Sequence, residues 1–125
     1  MHSIALSAGS AVRLTASAKA GTGPHRWDVR LFSAEGPSPR SARAVYGSAI
    51  GQGDLHQGVD IPAYDMACTL EVSAEHSVAG GWAPDRCAIE EDTPSELRLG
   101  FCDPTRSGSS DSDVLLTFAF PDRGR

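Results

Sequence analysis

Over residues 12–19 the side chains alternate: Val12, Leu14, Ala16 and Ala18 fall on one side, Arg13, Thr15, Ser17 and Lys19 on the other. That period of two belongs to a β-strand, whose successive side chains leave opposite faces; a helix could not bury this set on one stripe. The contrast returns at residues 25–33, where Trp27, Val29 and Leu31 oppose Arg26, Asp28 and Arg30. Trp27 is therefore predicted to be a core residue. Further runs lie at 3–8, at 55–62 with Val59 and Ile61, at 66–76 with Cys68, Leu70, Val72 and Ala74, and at 95–101 with Leu97, Leu99 and Phe101. Thirteen glycines and eight prolines cut the chain into pieces of strand length, the punctuation of an all-β chain.

Two stretches read less clearly. Residues 38–51 fit helical spacing through Ala42, Val45, Tyr46, Ala49 and Ile50, with Ser38 and Pro39 as a cap and first turn, but Gly47 inside the run favours a strand. Residues 83–92 read as at most one helical turn. About eight strands are too many for one open sheet of this length to bury. The expected fold is a single domain spanning residues 1–125: an antiparallel two-sheet β-sandwich, with jelly-roll and immunoglobulin-like strand orders both open.

Composition narrows the function classes. The net charge is −5 and no basic run is present, so the positive footprint that a nucleic-acid backbone requires is missing. No segment approaches the ~20 apolar residues of a membrane-spanning helix. The first residues lack the basic and apolar regions of a secretory signal, so a cytoplasmic location is expected. The three cysteines have no metal-like spacing. Cys68 and Cys87 are in phase with apolar neighbours and read as core residues, with a disulfide between them as the alternative, whereas Cys102 falls out of phase and nearer the surface.

Chemistry could reside in two places. The loop between Phe101 and Val114 carries Asp103, Asp111 and Asp113, and a hairpin there would bring the carboxylates to one end of the sandwich. With hydroxyl, carbonyl and water oxygens they could hold calcium, the one cofactor the sequence raises. The competing reading is that Asp103 is a turn former, and that Asp113 guards the β-prone, uncharged run 114–120. The second place is Trp82, set among glycines and Pro84 and read as a loop residue. Such a ring can stack on a sugar, anchor a protein or cap the core.

No catalytic set emerges. His2, His25, His56 and His76 are scattered, no nucleophile elbow is present, and Cys102 pairs with His76 and Asp103 only on paper. The acidic run at 90–92 places neighbouring carboxylates side by side rather than across a cleft. The last strand is apolar on both faces: Val114, Leu116, Phe118 and Phe120 can enter the core while Leu115 and Ala119 also avoid water. Such a strand is either central in its sheet or covered by a partner. The leading expectation is a non-catalytic module that binds another protein, or a second copy of itself, through Leu115, Ala119 and Trp82. The alternative is a calcium-assisted carbohydrate-binding module, and a small hydrolase is the remote one.

Overall fold

The computed structural model describes residues 1–18, 23–33, 42–50, 55–105 and 112–121. Among these described residues ten strands follow in chain order: β1 (His2–Leu6), β2 (Val12–Ala18), β3 (His25–Ser33), β4 (Ala42–Ile50), β5 (Leu55–Ile61), β6 (Cys68–Val78), β7 (Gly81–Pro84), β8 (Arg86–Asp92), β9 (Glu96–Cys102) and β10 (Val114–Ala119). They form two five-stranded antiparallel sheets. In the first sheet the order is β1-β6-β3-β4, and β7 also pairs with β6. One edge of β6 is held by β3 along nearly its whole length, while β1 takes the first half of its other edge and β7 the second. The second sheet runs β5-β2-β10-β9-β8.

The sandwich follows from the alternation. Each inner strand turns one set of side chains inward, and Leu14, Val29, Leu31, Leu70, Val72, Leu97, Leu99 and Leu116 have no exposed surface left. Burying each such leucine or valine contributes about 1.5–3 kcal/mol, which offsets the entropy lost on ordering the chain. Trp27 belongs to this core, as its phase predicts. Residues 42–50 are a strand, so the glycine inside that run outweighed the helical spacing.

Two expectations are corrected. Residues 83–92 hold no helical turn; they form the end of β7 and all of β8. Trp82 lies in a strand, because the β6–β7 hairpin turns in only two residues, Ala79 and Gly80, and Val78 already pairs with Gly81. Gly80 has φ 87°, the left-handed value that the second position of such a turn favours and that glycine adopts without strain. The cysteines are free: Cys68 is buried, while Cys87 and Cys102 are half-buried. Burial pushes the Cys68 and Cys87 thiols up, which keeps them in the unreactive neutral form.

The apolar final strand finds its explanation inside the fold. β10 sits at the centre of its sheet, bonded to β2 on one side and β9 on the other. Leu115 lies between Ser17 and Gly100, and Ala119 between Arg13 and Glu96, so their outward face is half-covered by neighbouring strands. A partner chain is not needed to keep them from water. In urea denaturation, Leu116→Ala is expected to cost about 2–5 kcal/mol through the cavity it leaves. Leu115→Ala is expected to cost clearly less, and equal losses would mean that the outer face is as closed as the core.

Candidate functional site

Two inward-facing rows end in histidine rather than in an apolar residue. His25 is in phase with Trp27, Val29 and Leu31 on β3, and His76 is in phase with Leu70, Val72 and Ala74 on β6. The two are register partners, so both imidazoles enter the same end of the core. Between them lies Asp85, the one residue linking β7 of the first sheet to β8 of the second. Its amide is bonded to the Ala74 carbonyl at 2.9 Å. Its carboxylate, with no exposed surface, meets Nδ1 of His25 at 2.8 Å and Nδ1 of His76 at 2.7 Å. An ionised carboxylate only accepts hydrogen bonds, so each ring donates through Nδ1.

The opposite ring nitrogens face two further carboxylates. Nε2 of His25 is 3.5 Å from Oδ2 of Asp113, and Nε2 of His76 is 3.4 Å from Oδ1 of Asp103. Oδ2 of Asp113 also accepts the amide of Asp103 at 3.1 Å, which ties the end of β9 to the start of β10. Oδ1 of Asp103 accepts both the amide and the hydroxyl of Thr105, at 2.8 and 2.6 Å, an aspartate turn closed on its own backbone. The Thr105 hydroxyl, then its amide, hold the Asp103 carboxyl below its ordinary range; burial opposes them and the two imidazoles add to the lowering.

The sequence thus anticipated part of this end. Asp103 and Asp113 do converge, while Asp111 lies outside the described residues. Among the described residues no group of three or more His, Cys, Asp and Glu side chains is placed to hold a metal ion. Asp103 stands beside His76, but Cys102 is contacted by the Arg86 guanidinium at 3.5 Å. His25, His76 and Asp85 were missed as a group. The signal was available in the phase of the two histidines, each two residues beyond the last apolar member of an inward row.

A second arrangement occupies the outer face of the first sheet, where polar side chains follow the strands in register. Asp28 of β3 stands between Gly47 of β4 and Ser73 of β6, and Arg26 stands beside Glu75. The Ser73 hydroxyl donates to Asp28 at 2.8 Å, Arg26 is paired with Glu75 at 2.8 Å, and Arg30 reaches Asp28 at 3.4 Å. Arg26, Asp28, Arg30, Ser73 and Glu75 line a groove of about 320 Å³. Trp82 projects from the same face with about a third of its surface exposed, and the Arg26 guanidinium lies 4.7 Å from its ring centroid. That stacking holds the indole by a cation–π contact.

No protein-family model matches this chain, and no curated protein matches it in sequence. Among solved structures it is similar to a high-affinity mannose-binding lectin of Ralstonia solanacearum, at 15% identity over 95% of each chain with a TM-score of 0.57. It is also similar to the C-terminal domain of BC2L-C lectin from Burkholderia cenocepacia, at 14% identity over 95% of this chain and 94% of that one, with a TM-score of 0.50. At these identities the likeness shows the fold. The expected role as an accessory, adaptor or inhibitor binding another protein is corrected here. The strand that was to carry that interface is central in its sheet, and both solved structures described above, alike over 95% of this chain, are lectins.

Two outcomes test the inner network. Asp85→Ala leaves both imidazoles without their acceptor and is expected to cost about 3 kcal/mol or more in chemical denaturation. Because folding lowers the pKa of Asp103, its contribution is present above the ordinary value of 3.8 and lost as pH falls through the lower folded value. Asp103→Asn is therefore expected to flatten the acid limb of a stability profile below that pH, leaving the neutral limb unchanged in slope.

Proposed function

We propose that this chain is a non-catalytic carbohydrate-binding module. The observation that carries the reading is the likeness of nearly the whole chain to two lectin sandwiches, one of them named as mannose-binding. Fold alone does not fix function, so the reading also rests on what the surface offers. The outer face of the first sheet presents planar polar groups beside an indole, the combination that engages both the hydroxyls and the apolar face of a sugar ring. Catalysis has poorer support, since the imidazoles of His25 and His76 and the carboxylate of Asp85 are buried and committed to one another. General acid–base work needs such groups within reach of substrate.

The test is retention on immobilised glycans, covering neutral mannose-, galactose-, fucose- and glucose-terminated chains and sialylated ones. Folded protein is expected to be retained by a subset of the neutral glycans and released by the matching free sugar. Absence of retention on every glycan, with folding verified by circular dichroism, would overturn the reading.

A further inference from the structure

We infer that the sugar site is the outer face of the first sheet, that it takes a neutral oligosaccharide rather than a single sugar, and that it needs no cation. This rests on the carbohydrate-binding reading and locates it. The floor of the groove is Asp28 and Ser73, in register across β3 and β6, and Gly47 of β4 continues their row. Gly47 leaves Asp28 uncovered: a Cβ there would lie 3.4 Å from the Cβ of Asp28 and 2.8 Å from the Trp27 carbonyl oxygen. The walls are the Arg26–Glu75 pair on one side and Arg30 on the other.

The charge pattern selects the ligand class. Two guanidinium groups, Arg26 and Arg30, alternate with two carboxylates, Asp28 and Glu75, so the groove has no net charge of its own. Phosphate, sulfate or a sialic acid would meet Asp28 and Glu75, and a polyamine would meet the arginines. A hydroxyl both donates and accepts, so a vicinal diol can donate to a carboxylate while accepting from the adjacent guanidinium. An apolar peptide side chain would find a floor of carboxylate and hydroxyl.

Length follows from the position of Trp82. It lies opposite Ser77, in the register row four residues along β6 from that of Asp28 and Ser73, and two strands across from β3. With neighbouring strands ~4.8 Å apart and a rise of ~3.4 Å per residue, its Cα is about 17 Å from that of Asp28. A ring seated over Asp28 has the Arg26–Glu75 row between it and the indole. A chain of sugars can seat one unit over Asp28, cross the Arg26–Glu75 pair and stack a later unit on the indole, which Arg26 already holds in place. At about 320 Å³ the groove itself is at the small end of ligand pockets, which span ~300–1,000 Å³.

The experiment compares wild type, Asp28→Asn, Trp82→Ala and Asp103→Asn on the same immobilised glycans, each with calcium and with chelator, after circular dichroism and a thermal melt confirm folding. Asp28→Asn keeps an acceptor for Ser73, so the strand pairing survives. Asp28→Asn and Trp82→Ala are each expected to weaken retention about tenfold or more. Asp103→Asn and chelation are expected to leave it unchanged, and di- to tetrasaccharides are expected to compete better than monosaccharides. Loss of binding on chelation or in Asp103→Asn, with Asp28→Asn and Trp82→Ala unaffected, would move the site to the β9–β10 end. That result would overturn this inference while the carbohydrate-binding reading stands. Equal competition by monosaccharides would overturn the oligosaccharide assignment. Failure of wild type to bind any glycan would overturn the carbohydrate-binding reading and this inference with it.

Discussion

A single carboxylate shared by two imidazoles governs how the two sheets meet. Asp85 is where the chain leaves the first sheet for the second, and a backbone crossing there must surrender hydrogen bonds on both sides. Its amide recovers one from Ala74, and its side chain takes one from each histidine. Placed in the same interior without those donors, a carboxylate would cost several kcal/mol. The pairing is therefore selective: a shift of β3 against β6 would separate the two rings and strand Asp85, as well as turning a row of leucines and valines outward.

The network extends this control to the β9–β10 end. Asp113 and Asp103 each face one ring, and Asp113 also accepts the Asp103 amide, so four strands and one crossover are tied through five side chains. The carboxylates of Asp85 and Asp113 are engaged inward and that of Asp103 is closed on its own turn. The outer face of the first sheet is different: Arg26 and Arg30 remain about half-exposed while they pair with Glu75 and Asp28. Ion pairs of that kind contribute little to stability, so exchanging them for ligand hydroxyls costs the fold little.

How much of this could be read from the residues depended on whether a strand has one buried face. β2, β3, β6, β9 and β10 do, and their alternation is plain in the sequence. β8 does not: it is an edge strand whose residues are mostly exposed, so the phase that Cys87 shares with Ile89 marks no core face, and Cys87 is only half-buried while Ile89 is exposed. Its acidic residues suit an unpaired edge, where charge discourages further strand addition. Trp82 was misplaced for another reason. Glycines and Pro84 around it signal a loop, yet the turn is complete at Gly80 and the short β7 needs only four residues to finish one edge of β6.

The candidate sites divide along the same line. Asp103 and Asp113 were legible as a pair because a hairpin must bring its ends together, but the histidines that meet them were judged by residue type instead of by phase. The outer groove was not legible at all, since Asp28, Ser73 and Gly47 are far apart in the chain and only strand order places them in one row. Their alternation with core residues announced that they face water and said nothing of which neighbours they would have there. Sheet order brings three solvent-facing positions into one row, and at Gly47 no side chain stands beside Asp28. The local pattern that builds the core is therefore read along a strand, whereas a site on a sheet face is read across strands, where the sequence is discontinuous.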